Sequence, residues 1–393
     1  MSALLDLMDQ DEMGLETELT EEKVLTFSIE HNQIMNALLT CEKIVPTKGI
    51  SILQCVKFEI KGSTLFLTSM DMSQSVLQHM TIINESNVNG SFLLPAKEGI
   101  KLIKNMPSGS LTFKQENTTI QISYGKKKKA YLSILSSNEY PALPKLKDAF
   151  MVEIPFDILQ KGAQTETFVL ADEAHPNLSS IYLHNEKGRL TFQSTDRHRA
   201  LQYATDIMID SQEKEINCLV HAKNFKKIAD SFKACDKIEM GFSDDYVVIR
   251  NASIIYFTKL IEGKFPDLSP VIRMANDGQG IPISGKSLYE SLNRALSLIV
   301  ENNRVSMEVN EEGKLTLSAS NAESEMCEDF EETEVEEDFP LIHFNGRYLR
   351  DFLMYSGRND SSIIKLQVTS GTKPAFFFIE NDPTLLYIVN PCR

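Results

Sequence analysis

Apolar and polar side chains alternate in LFLTSMD (65–71), LTFQSTD (190–196) and LTLSASN (315–321), the period-two pattern of half-buried β-strands. The three segments lie 125 residues apart, so a single register covers them all. Each follows a turn-like glycine, in KGS (61–63), EKGR (186–189) and EEGK (311–314). Upstream of each strand the pattern changes to that of an amphipathic helix opened by a short extended stretch, over 29–39, 154–163 and 283–296. Downstream a second helical pattern follows, in PAKEGIKLIKNM (95–106), HAKNFKKIADSF (221–232) and FNGRYLRDFLMY (344–355).

Further marks keep the 125-residue spacing: Tyr131 with Tyr256, and Pro141 with Pro266, the prolines closing their units in NEYPAL and GKFPDL. Each unit reads as strand, helix, several strands, helix and more strands, an α+β domain with two helices on antiparallel sheets. Three such domains are expected at 23–148, 149–276 and 277–393, after an extension at 1–22; the second boundary falls in the Gly/Asn/Asp-rich RMANDGQG (273–280).

Composition is that of a globular protein, 42% hydrophobic and 24% charged, and no apolar run approaches the length that spans a bilayer. The N-terminus has no positive n-region or cleavage pattern, which predicts a cytoplasmic protein without membrane association. The cysteines Cys41, Cys55, Cys218, Cys235, Cys327 and Cys392 form no CxxC or Cys/His cluster, so they read as buried or incidental thiols, and neither metal nor cofactor is expected.

A net charge of -15 argues against nucleic acid until its distribution is considered. Residues 1–22 hold eight acids and no base, and residues 323–338 hold ten acids and no base; setting these aside leaves 37 of the 55 acids against 40 basic residues. The remainder is slightly positive, and binding depends on the local field. Cations recur on the second helix of each unit. Lys97, Lys101 and Lys104 share one face opposite Ile100, Ile103 and Met106; Lys223, Lys226 and Lys227 are set against Phe225, Ile228 and Phe232; Arg347 and Arg350 are set against Leu349, Phe352 and Leu353. One such stripe is ordinarily a solvated face, but three at equivalent places predict contact with duplex phosphates regardless of base sequence. Lys48 is counted with them. The run Lys126–Lys129 reads as a hairpin tip, facing DNA, a protein or only water.

The motifs TDRHRAL (195–201), EGKFPDLSPVI (262–272), FNGRYLRDFL (344–353) and KPAFFFIENDPTLLYIVNPCR (373–393) resemble, in order and spacing, those of the bacterial sliding clamps, the beta subunits of DNA polymerase III. The resemblance runs from about residue 23 to the end. It implies three DNA-clamp domains per chain and a head-to-tail homodimer closing as a ring around double-stranded DNA. Its partners would be the polymerase III catalytic subunit and a clamp loader. It also implies a pocket for partners' peptides between domains 2 and 3, formed by Leu178, Thr195, His198, Arg199, Pro266, Val271, Ile388, Pro391 and Arg393. Within it Arg197 stands where the family usually has Gly, Ala200 where a large aliphatic is usual, Pro270 where a base is common, and Asn390 and Cys392 where apolar residues are common. These departures imply a less apolar pocket and a different partner motif. Leu4-Leu5-Asp6-Leu7-Met8 resembles the peptides such clamps bind, so the acidic extension is a further candidate occupant.

Asp196, His198 and Arg199 put an acid, a base and a cation within four residues, but catalytic triads converge from separate elements, and no GxSxG, P-loop, GxGxxG or HExxH is present. Asp71 and Asn321 occupy the positions equivalent to Asp196, which predicts a structural turn and no catalytic residue. The competing readings are a DNA-binding scaffold that never closes, and a phage, plasmid or second-copy clamp with altered partners.

Overall fold

The computed structural model describes residues 24–145, 149–172, 174–210, 214–234, 236–275, 280–299, 303–335, 339–357 and 362–392. The acidic extension 1–22, Cys235, Arg393 and both expected domain boundaries lie outside them.

In the first repeat the strands are β1 (Thr26–Glu30), β2 (Cys55–Lys61), β3 (Thr64–Met70), β4 (Gln74–Thr81), β5 (Ile83–Asn84), β6 (Gly90–Pro95), β7 (Ser110–Glu116), β8 (Thr119–Tyr124) and β9 (Lys128–Ser133), with helices α1 (His31–Glu42) and α2 (Ala96–Lys104). The second holds β10 (Phe150–Ile154), β11 (Ser180–Glu186), β12 (Arg189–Thr195), β13 (Arg199–Met208), β14 (Asn217–His221), β15 (Ile238–Phe242), β16 (Tyr246–Arg250) and β17 (Ile254–Lys259), with α3 (Phe156–Gln164), α4 (Ala222–Ala229) and the short α5 (Ser269–Ile272). The third holds β18 (Ile281–Ser284), β19 (Arg304–Val309), β20 (Leu315–Ser320), β21 (Glu325–Phe330), β22 (Ile342–Asn345), β23 (Ile363–Gln367), β24 (Ala375–Ile379) and β25 (Asp382–Val389), with α6 (Gly285–Leu298) and α7 (Gly346–Ser356). All six predicted long helices form. The last two open on side-chain caps: Ser284 Oγ accepts from Ser287 N, and Asn345 Oδ1 accepts from Arg347 N.

The chain folds as two compact units, one containing the residues up to 156 together with 231–259, the other containing 157–230 and 260–393. The first unit has a sheet ordered β5-β1-β7-β8-β9 and an eight-stranded sheet ordered β10-β15-β16-β17-β4-β3-β2-β6. Its core includes stacked pairs Phe27–Phe113 and Phe58–Phe92, with centroids 4.9 and 5.0 Å apart. The second unit has an eight-stranded sheet ordered β14-β11-β12-β13-β25-β24-β23-β18 and a four-stranded sheet ordered β21-β20-β19-β22. There the fully buried Tyr387 stacks on Phe352 at 4.6 Å and donates to Tyr348 O at 2.9 Å. Such a ring pair adds about 0.5–1.5 kcal/mol beyond its burial.

In each unit the long sheet crosses from one repeat into the next. β17 pairs antiparallel with β4, Tyr256 facing Val76, and the buried Tyr256 hydroxyl donates to Gln74 Oε1. β25 pairs with β13, Tyr387 facing Leu201.

The 125-residue period is strict in one half of the repeat, where Ser69 faces Val76, Ser194 faces Leu201 and Ala319 faces Met326. The turns between these strands are alike. Asp71 Oδ1 accepts from the backbone N–H groups of Ser73 and Gln74, Asp196 Oδ1 from those of His198 and Arg199, and Asn321 Oδ1 from those of Glu323 and Ser324. Asp196 is thus a turn residue, as its repeats predicted. In the other half the period drifts. Ile122 faces Ala130, Ile249 faces Tyr256 and Phe377 faces Tyr387, so the equivalents are Ala130, Tyr256 and Tyr387. Tyr131, 125 residues before Tyr256, points to the opposite face and is exposed, its hydroxyl donating to Gln121 Oε1.

Candidate functional site

The turn after β12 meets the end of β25. Arg199 faces Val389 and Ala200 faces Ile388 in the ladder; Asn390 N donates to His198 O at 2.8 Å, and Asn390 Nδ2 to Arg197 O at 3.1 Å. Beside this seam α5 is started by Asp267, whose Oδ1 accepts from Ser269 N, and by Pro270, which supplies a helical φ where no N–H is needed. Leu268, Val271, Ile272 and Ala275 from this segment pack on an apolar face of Ala200, Phe376, Phe378, Leu386 and Ile388. The expected residues Val271, Ile388, Arg197, His198 and Asn390 therefore gather around one apolar patch, which Phe376, Phe378 and Leu386 make more apolar than Asn390 and Cys392 alone imply. The continuous apolar runs AFFFI (375–379) and LLYIV (385–389), the mark of strands buried on both faces, carried the signal for those three.

Other expected residues play supporting parts. Thr195 is buried, its Oγ1 donating to Arg199 O and accepting from Arg197 N. Leu178 is buried in the segment that Asn177 ties to Lys264 O, two residues before the half-buried Pro266. Cys392 N donates to His343 O, drawing the half-buried Pro391 and Cys392 toward β22. Arg393 lies outside the described residues.

Arg199 is not a surface cation. Its side chain is 8% exposed, and its guanidinium donates through Nε to Asp196 Oδ2 at 3.0 Å, through Nη1 to Asp351 Oδ2 at 2.7 Å and through Nη2 to Thr167 O at 3.0 Å. It also stacks over Tyr348 and Phe168, at 4.3 and 5.2 Å. Burial disfavours its charge, but Tyr387, Asp351 and Asp196 outweigh that and hold its pKa above the ordinary value. No local pattern in the sequence linked Arg199 to Asp351, 152 residues away.

Arg197 has φ +77, the left-handed region. That accounts for the glycine usual there, since such a φ costs a side-chain-bearing residue about 1–2 kcal/mol. Part of this is offset by the greater backbone freedom glycine loses on folding, so Arg197→Gly is expected to stabilise by about 0.5 kcal/mol, read as a higher urea midpoint.

Of the predicted cation stripe, Lys48, Lys97, Lys101, Lys104, Lys223, Lys227 and Arg347 are exposed. Ile100, Ile103, Phe225, Ile228, Leu349 and Phe352 are buried on the opposite faces. Lys226 is half-buried and pairs with Asp230 at 2.5 Å, and Arg350 is half-buried with Nε enclosed and lacking a hydrogen-bond partner among the described residues. Lys126 and Lys127 lie in the turn between β8 and β9, and Lys128 and Lys129 open β9.

Sequence models of three successive domains match the chain: DNA polymerase III beta subunit, N-terminal domain over 25–144, central domain over 154–267 and C-terminal domain over 275–393. The beta sliding clamp of Bacillus subtilis is 22% identical over 383 residues, and that of Staphylococcus epidermidis 24% over 386; each alignment covers 94% of this chain and all of the relative. Among solved structures, a DNA polymerase sliding clamp from Pseudomonas aeruginosa superposes with TM-score 0.85 at 20% identity, over 94% of this chain and 100% of that one. The Bacillus subtilis clamp superposes with TM-score 0.84 at 21% identity, over 94% of this chain and 99% of that one.

Proposed function

The chain belongs to the DNA polymerase III beta subunit family, and from that premise we propose that it works as a sliding clamp, two copies closing head to tail around duplex DNA. The observation that carries this reading is a strand junction made twice within the chain and left half-made at each end. The last strand of the second repeat joins the first repeat (β17 on β4), and the last strand of the third joins the second (β25 on β13). By the same rule β9 of the first repeat needs the equivalent of β4 and β13, which is β21. In this chain β9 and β21 are the outermost strands of their sheets. A second copy supplies the missing partner to each, and a heterologous contact used twice closes a ring.

Lys97, Lys101, Lys104, Lys223, Lys227 and Arg347, with Lys48, are the cations read as facing phosphate; Lys226 and Arg350 contribute less, being paired or enclosed. The apolar patch flanked by Arg197, His198, Val271, Ile388 and Asn390 is read as the dock for short peptides of the polymerase and the clamp loader. The protein is read as non-catalytic, because the Asp196 carboxylate is taken up by two backbone N–H groups and Arg199. No group of three or more His, Cys, Asp or Glu suited to a metal occurs among the described residues, and no described helix is long and apolar enough to cross a membrane.

The decisive experiment loads the protein on circular duplex and then linearises it. Retention on the circle and loss from free ends is expected, since a closed ring leaves only by sliding off. Equal retention of a monomer on both forms would overturn the clamp in favour of an open scaffold.

A further inference from the structure

We propose that the surface beside the β4–β17 junction is a dock for the chain's own N-terminal extension, residues 1–22 of the same copy, held by apolar contacts inside a rim of lysines. The inference concerns a different face from the proposed peptide surface and requires neither a ring nor a partner.

The two strand junctions within the chain are built alike down to their loops. Beside the first, Leu53 N donates to Ile50 O at 3.1 Å; beside the second, Leu178 N donates to His175 O at 2.9 Å. Lys259 N donates to Ser73 O at 2.8 Å in the first, and Asn390 N to His198 O at 2.8 Å in the second. The frames match, but the side chains they present do not. Where the second junction carries His175 and Arg197, the first carries Ile50, 55% exposed, and Met72, 79% exposed. Both adjoin one apolar cluster. Ile52, two residues from Ile50, packs with Leu143 on Leu53, Cys55, Leu93, Tyr140 and Met70, and Met70 stands two residues before Met72. A lone exposed apolar side chain is ordinary, whereas several joined to one cluster, at places where the other junction is polar, mark a contact surface.

Charge and reach identify the occupant. Over 48–54, 70–75, 139–145 and 257–259 the exposed charges are Lys48, Lys145 and Lys259 against Glu139, and the Asp71 carboxylate is bound to its own turn. A lysine therefore accompanies each apolar group: Lys48 with Ile50, Lys259 with Met72 and Lys145 with Leu143. Residues 1–22 offer the complement, eight acids and no base, with Leu4, Leu5, Leu7 and Met8 near their start. They lead into the same compact unit, where Val24 is exposed and the Leu25 side chain lies on Gly90 at the start of β6. Pro95, at the far end of β6, faces Cys55, so one short strand, roughly 17 Å, separates Leu25 from the cluster. The stretch from Met8 to Val24 can span about 50 Å when extended, ample for that distance.

Hydrogen exchange in the full chain, compared with a synthetic peptide of residues 1–22, tests the dock. Amides of residues 3–9 should exchange about 10-fold more slowly in the chain than in the peptide. Ile50→Glu/Met72→Glu alters two exposed side chains and should return them to the peptide rate, with an unchanged urea midpoint as the check on folding. Arg197→Glu, at the second junction, should leave the protection intact. Exchange at the peptide rate in the parent chain overturns the dock. Protection kept in Ile50→Glu/Met72→Glu but lost in Arg197→Glu places the extension on the other junction and overturns this site. Protection that grows with protein concentration assigns the segment to a neighbouring copy and overturns the same-copy contact. A second variant leaves the folded units untouched: Leu4→Ser/Leu5→Ser/Leu7→Ser should raise the rate of Met72 oxidation by dilute peroxide about 5-fold. An unchanged rate would show that the extension does not cover Met72 and would overturn the inference.

Discussion

A chain in which Lys97, Lys101, Lys223 and Lys227 are all changed to glutamate is expected to bind a short duplex about 100-fold or more weakly at low salt. The log–log dependence on salt should flatten by roughly 3 to 4, since each phosphate neutralised contributes about 0.9 to the slope. The expectation follows from where these groups stand. All four are exposed on helices whose opposite faces are locked into the core by Ile100, Ile103, Phe225 and Ile228. The charges are therefore held on rigid supports, and their reversal leaves packing intact, which far-ultraviolet circular dichroism checks. The loss should be the same for every base sequence, because groups that meet phosphate carry no base readout. A variant of unchanged slope would remove these lysines from the proposed DNA face.

Replacing Arg199 by leucine is expected to cost about 3–5 kcal/mol, seen as a lower urea midpoint for the unit that contains it. The guanidinium joins Asp196 of the turn, Asp351 of α7 and the carbonyl of Thr167, and its removal strands a carboxylate at Asp196 that is only 10% exposed. Lysine should rescue little, since an ammonium does not supply the planar fork that reaches three acceptors and stacks on Tyr348. Asp196→Asn should be milder, because Asn321 makes the same backbone contacts in the third repeat with an amide in place of the carboxylate. An unchanged midpoint for Arg199→Leu would show that the buried network contributes nothing net. The network also bears on the proposed peptide surface, since His198 stacks 6.4 Å from Tyr348 on the helix that Arg199 secures.

The repeat was legible because β3, β4 and their counterparts keep one loop length in all three copies, so equivalent residues stay 125 apart. The second half escaped that spacing for a physical reason. The turn from β8 to β9 is one residue longer than that from β16 to β17, Ile122 facing Ala130 eight residues on and Ile249 facing Tyr256 seven residues on. The odd residue turns a spacing-matched tyrosine, Tyr131, to the wrong face. The apolar patch of Ala200, Phe376, Phe378, Leu386 and Ile388 was legible as apolar runs in the sequence. Sequence alone did not distinguish the exposed His198 from the buried Arg199 next to it, because that depends on Asp351 and Tyr348, far along the chain. Among the helices, exposed lysines were legible from periodicity, while the enclosed Arg350 was not, since a helical wheel says nothing of the neighbouring wall.

The two sheets that run unbroken across repeat junctions also set how the chain bears load. The hydrogen bonds of β17 on β4 and of β25 on β13 point from one repeat toward the next, so a pull on one repeat is carried across each junction by a whole ladder in tension. Those ladders are backed by the continuous polypeptide, which limits separation and favours re-zipping after a transient rupture. A seam between two copies, as proposed above, has no such tether. In the ring proposed above it would be the mechanical fuse, the joint that parts first under force while each chain remains folded.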